Sequence, residues 1–180
     1  VRRRHFVAFR EAAQELWGQD GYAALTRDLS EGCRARTAGA VVSTSEHLPV
    51  ADAIEWFEVT YRAMCMQSHV RFRAFSARVI ELGFGRVHRL ILGVVGTRRL
   101  LERAPSLWRA EHTHGELQVS LGDDRSGVLV LRDHPYITSK ASCLATAEMF
   151  RYLGVLSGAR SVQDSHTVTH EALEIRVRWT

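Results

Sequence analysis

The chain has 180 residues, 46% hydrophobic and 24% charged, with a net charge of +4 and a pI near 9.3. That size suits one soluble domain able to bury a core without metals or disulfides, and no apolar run approaches the ~20 residues a membrane helix needs. Of the 24 basic residues only Lys140 is a lysine, and the arginines are scattered among Glu and Asp, with Arg2 to Arg4 the one tight cluster, which argues against a nucleic-acid-binding face.

The opening Val-Arg-Arg-Arg-His-Phe lacks the apolar core of a secretory signal, so cytoplasm is the expected compartment. Cys33, Cys65 and Cys143 are widely spaced and form no C-x-x-C pair. They read as reduced, buried thiols rather than a zinc or disulfide framework.

Residues 1–104 carry helical periodicity. Phe6, Phe9, Ala13, Leu16 and Trp17 mark one apolar face, and Gly18 and Gly21 punctuate it. A second helix is predicted from Tyr22 to about Arg36, and a loop over 37–49. A third runs from about Val50 to Gln67, with Ile54, Phe57, Tyr61 and Cys65 on one face. A fourth spans about Val70 to Leu82 and ends at Gly83 and Gly85. A short helix over Val87 to Val95 and another turn or two over Thr97 to Arg103 follow, closed by Pro105.

From Trp108 the period changes to two. Trp108 to Thr113 is a candidate strand, and Leu117, Val119 and Leu121 form another. A turn over 122–127, which includes Asp123 and Asp124, leads to a strand over Val128 to Leu131. A helix over Thr138 to Ser157 is predicted to end at Gly158. Strands over Val162 to Val168 and Leu173 to Trp179 complete the chain. The fold class is α+β: a single domain over 1–180, with an N-terminal helical half (1–104) packed with a C-terminal ββαββ antiparallel sheet (105–180).

Two resemblances bear on function. The Leu-rich helix end from Arg98 to Trp108, finishing Ala-Pro-Ser-Leu-Trp, and the ending Glu174-Ile-Arg-Val-Arg-Trp179 resemble a domain family described chiefly from myxobacteria, which brings no activity with it. Tyr136-Ile137-Thr138-Ser139-Lys140 resembles, more distantly, the Tyr-x-Ser-x-Arg motif of haem–nitric oxide/oxygen binding (H-NOX) domains and the related 4-vinyl-reductase-like ligand domains. That resemblance implies Tyr136, Thr138 and Lys140 on the haem propionates and His88 as axial ligand, if haem binds. Lys140 lacks the planar fork of Arg, and Thr138 also suits the N-cap of the following helix. The expected relative is haem-free, and no cofactor is assigned.

Other constellations are weaker. His112 and His114 would share one side of a strand and need a third ligand to hold a metal, with Glu116 the near candidate and His166 and His170 the distant ones; no metal is assigned. Phe57, Tyr61, Met64, Cys65 and Trp108 are candidates to line an apolar pocket between helices and sheet. No nucleophile elbow or phosphate loop is present. These readings favour a non-enzymatic sensory or regulatory module that binds a small apolar ligand or a protein partner. The alternatives are a haem-dependent gas sensor and a dimeric interaction or scaffold protein, paired through the face ending at Trp179 or the edge near Trp108. An enzyme using Asp133, His134 and Tyr136 ranks last.

Overall fold

The structure is a computed structural model that describes residues 1–38, 45–122 and 125–180, the stretch 84–94 by its backbone alone. Its helices are α1 (Arg4–Arg27), α2 (Glu31–Thr37), α3 (Val50–Val59), α4 (His69–Val95), α5 (Thr97–Glu111) and α6 (Lys140–Leu156). Strands β1 (Glu116–Leu121), β2 (Ser126–Arg132), β3 (Val162–Val168) and β4 (Ala172–Trp179) flank α6 in the order ββαββ. This is the α+β arrangement expected. The chain divides into two compact units, Val1–Gly83 with Ser139–Ala145, and Phe84–Thr138 with Thr146–Thr180.

The first unit is helical, and its core is aromatic. Phe9 stacks on Trp56 at 5.7 Å and meets Phe57 edge-on at 5.1 Å. Phe75 stacks on Trp17 at 5.1 Å. Trp56, Phe6, Phe72, Phe75 and Leu25 are fully buried, as the three-and-four spacing requires. Gly18, at φ 70° and ψ −178°, is non-helical and joins two helical stretches of α1 across a kink, where the sequence places its punctuation.

Several boundaries differ from expectation, each for a local reason. The predicted second helix is cut at Ser30. Its backbone is extended and its hydroxyl accepts the Cys33 N–H, so it caps α2, the role in which Ser outcompetes a helix interior. The third helix passes into one π-helical turn, Thr60–Met64, and ends where Met66 and Gln67 take positive φ. Gly83 and Gly85 do not break α4; an interior glycine costs only about 1 kcal/mol, and the helix is 27 residues long. Pro105 lies inside α5, and the strand expected over Trp108 to Thr113 is instead the end of that helix. Proline there costs about 3 kcal/mol, offset by burial of Leu100, Leu101, Ala104 and Trp108 on one face.

Arg36 grips Asp52 with two charge-assisted bonds, Nε–Oδ2 at 2.8 Å and Nη2–Oδ1 at 2.6 Å. The arginine side chain is 47% exposed and the aspartate 2%, so the pair is asymmetric. Arg36→Met strands a carboxylate out of water, whereas Asp52→Asn leaves a guanidinium that still reaches solvent. Arg36→Met is therefore expected to lower the thermal midpoint more than Asp52→Asn. The reverse order would show that water reaches Asp52.

The second unit holds the sheet, in order β1-β2-β4-β3 and antiparallel throughout. Leu117, Leu129, Leu131, Leu173, Ile175 and Val177 are buried on one face, while Glu174, Arg176 and Arg178 lie on the other. Asp164 and His166 are the cross-strand partners of Val177 and Ile175, so β3 carries polar residues on the covered side. A Cβ on Gly127 would lie 3.7 Å from Leu101 of α5, and one on Gly154 of α6 would lie 2.9 Å from Val162 of β3. Thr97 and Ser157 join hydroxyls at 2.8 Å where α5 begins and α6 ends. Gly158 closes α6 with φ 96°, as expected of a C-terminal glycine.

Candidate functional site

The residues singled out in the sequence fall into two groups, one in each unit. In the helical unit the π turn brings Tyr61 edge-on to Phe72 at 5.3 Å, and α3 brings Phe57 edge-on to the same ring at 6.3 Å. Cys65 is fully buried, and burial lifts its thiol to about 11. Burial likewise pushes Cys33 to about 12 and Cys143 to about 11. All three are free thiols rather than thiolates, unsuited to nucleophilic or redox work at neutral pH. Met64 is half-buried.

This interior holds a feature that periodicity does not reveal. The hydroxyls of Tyr22, Thr60 and Ser76 are buried with no hydrogen-bond partner among the described residues. Thr60 is 0% exposed and Ser76 3%. Each unsatisfied group costs about 1–3 kcal/mol, so the three are a standing cost of this interior. Thr60 opens the π turn, a local irregularity that often marks functional positions in helices. Tyr22 stacks on Trp56 at 6.5 Å, and burial raises its phenol.

Trp108 belongs to the second unit, within a separate buried cluster. His112, at the C-terminal end of α5, stacks on Trp108 with centroids 3.9 Å apart and planes 11° from parallel. His134 meets Trp108 edge-on at 5.1 Å and His112 at 5.2 Å. Tyr136 closes the group 4.3 Å from His134. His112 and His114 are not on a strand. The first is buried and the second exposed, with His114 Nδ1 paired to the Thr113 hydroxyl at 2.9 Å. Among the described residues no three His, Cys, Asp or Glu side chains are grouped to hold a metal. Asp133 is exposed and does not orient His134; the His134 ring instead accepts the Tyr136 N–H.

The residues of the segment 136–140 have local partners of their own. Tyr136 is 5% exposed, inside the aromatic cluster, and burial pushes its phenol up. The single donor of Thr138 is committed to the Pro135 carbonyl at 2.8 Å. Thr138 is not the helix cap either. Ser139 takes that role, accepting the Ser142 N–H at 3.1 Å and donating to Glu58. Lys140 lies 5.9 Å from the centroid of the Tyr61 ring. The Thr138 donor, spent on the Pro135 carbonyl, is not available to a propionate in the way the motif implies. His88 lies on α4, and its side chain is outside the described residues.

Comparison with solved structures decides the fold. An H-NOX protein from S. oneidensis in its Fe(II) state superposes with a TM-score of 0.74 at 10% identity, over 100% of this chain and 96% of its own. Unliganded Fe(II) H-NOX from K. algicida gives 0.74 at 5% identity, over 100% and 97%. The chain has the H-NOX fold. An oxygen-binding H-NOX domain related to soluble guanylate cyclases gives 0.66 at 9% identity, over 97% of this chain and 92% of its own. No family model and no curated protein matches the sequence. Among the described residues no helix is long and apolar enough to cross a membrane.

Proposed function

We propose that this domain is a non-enzymatic sensory module that binds a small ligand within an H-NOX fold. The supporting observation is the match over the whole chain to proteins described in Fe(II), nitric oxide and oxygen states. The buried hydroxyls of Tyr22, Thr60 and Ser76 in the helical unit agree with a ligand of small size and mixed polarity.

The finer reading is a haem-dependent gas sensor, favoured by what those neighbours carry. One of them is described through its haem redox potential and porphyrin distortion. His88 on α4 is the proposed axial ligand. Because the Thr138 donor is spent on the Pro135 carbonyl, a haem carboxylate would need another donor in its place. Reconstitution of the purified protein with hemin, followed by gel filtration, tests this. A retained Soret band that His88→Ala abolishes supports the gas sensor. No retained band, with a thermal shift on adding small apolar compounds, supports a haem-free ligand module. Neither band nor shift would overturn the small-ligand reading and leave a protein partner.

A further inference from the structure

The buried histidines in the sheet-bearing unit are not needed for the function proposed above, and their geometry suggests a separate role. His134 is 2% exposed. Its Nδ1 accepts the Tyr136 N–H at 3.1 Å, and its carbonyl accepts the Ile137 N–H at 3.1 Å. These two bonds hold the 3-10 turn Pro135–Thr138, from which the chain passes through the Ser139 cap into α6. An Nδ1 that accepts a hydrogen bond is unprotonated, so the turn requires a neutral imidazole.

We propose that His134 is an acid-sensitive latch: a proton on its Nδ1 breaks the bond to the Tyr136 N–H and releases the turn that leads into α6. A protonated ring would point a donor at a backbone donor and bury a charge among rings. Its surroundings oppose that charge. Trp108 and His112 pack against it from the end of α5, His114 lies in the next turn, and Tyr136 in its own. Arg132 and Asp133, its sequence neighbours, are exposed. Burial, with a further push from His114, holds the His134 pKa down at about 4. A charge on His112 would act in the same direction.

The sign follows from linkage. In the open turn His134 regains its ordinary affinity for protons. From about pH 6.5 down to 4 the open state therefore binds more protons than the closed one, and the closed state loses stability as pH falls. With those two pKa values the open population grows about 30-fold between pH 7.5 and pH 5.

Hydrogen exchange on the intact chain tests the latch. Protection of the Tyr136 and Ile137 amides, corrected for intrinsic exchange, should fall about 30-fold from pH 7.5 to pH 5. His134→Asn supplies a side-chain oxygen that accepts the same N–H as an Asx turn but does not titrate; its protection should not change with pH. Unchanged protection in the wild type, or an equal fall in His134→Asn, would overturn the latch. Should the variant not fold, NMR titration of the wild-type ring decides: a His134 midpoint below 5 supports the latch, and one at 6 or above overturns it.

Discussion

Trp56→Ala is expected to destabilise the protein by about 3–5 kcal/mol, the range for truncating a buried Trp or Phe. Trp56 is 1% exposed and makes three attachments at once. Its face stacks on Phe9, its other contacts include Tyr22, and its indole N–H donates to Thr37 Oγ1 at 2.9 Å. Thr37 in turn donates to the Cys33 carbonyl at 2.7 Å, so the indole bond also ties α3 to α2. Alanine opens a cavity between rings that cannot close up and leaves the buried Thr37 oxygen short of a donor. Trp56→Phe keeps a stacked ring but loses the hydrogen bond and part of the indole volume, so it should cost less than alanine, about 1–3 kcal/mol. In thermal unfolding the alanine variant should melt about 10 °C lower. A drop under about 2 °C would mean that the helical unit repacks freely and that its aromatic interior is not rigid.

The core was legible where one physical rule acted alone. β4 alternates without exception because it pairs on both edges and is covered on one face. Leu173, Ile175, Val177 and Trp179 therefore had to point together, away from Glu174, Arg176 and Arg178. β3 obeys the same pairing but places Asp164 and His166 on the covered side, so its polarity carries little signal although its bounds were read correctly. The helices were recognisable, but their ends were not, because ends are decided by competition. Pro105 and Gly83 oppose a helix locally and lose to burial along a face. Ser30 wins because extended backbone and a capping hydroxyl coincide there. At the start of α6 either Thr138 or Ser139 has the chemistry of a cap, and only tertiary contact assigns the role. Ser139 can also donate to Glu58, while Thr138 turns back to Pro135.

The candidate site was half legible for a related reason. Phe57 and Tyr61 stood out as bulky residues at helical spacing, but Thr60 and Ser76 lie among them as ordinary small polar residues. Nothing in a sequence distinguishes a hydroxyl that bonds back to its own helix from one left without a partner. The histidine cluster was hidden by distance along the chain. His112 appeared to belong with His114, its near neighbour, and His134 with Asp133. The fold separates both pairs and joins His112 to His134, because α5 continues past Pro105 and carries His112 inward.

That joining depends on Gly115, and Gly115→Ala is the second large effect expected. Gly115 has φ 74°, a conformation that costs an L-residue about 1–3 kcal/mol. A Cβ there would stand 2.6 Å from His134 Cβ and 2.9 Å from the Arg132 carbonyl oxygen. Neither is the tip of a flexible side chain, so the turn and the strand end must move apart, adding about 1–3 kcal/mol. The total is about 2–6 kcal/mol at pH 7.5. Gly18→Ala is the matched control: it shares the positive φ, but nothing lies within 4 Å of the added methyl, so it bears the backbone cost alone. The two variants should also differ in their response to acid. Moving the 112–115 turn admits water to His134 and lets its pKa rise from about 4 toward the ordinary histidine value. The stability that the wild type loses on going from pH 7.5 to pH 5 would then shrink in Gly115→Ala and stay unchanged in Gly18→Ala. Urea midpoints of the three proteins at both pH values measure this. A Gly115→Ala deficit of the same size at pH 5 would show that the close approach at Gly115 is not what keeps His134 dry, and would place its desolvation with Trp108 and Tyr136 instead.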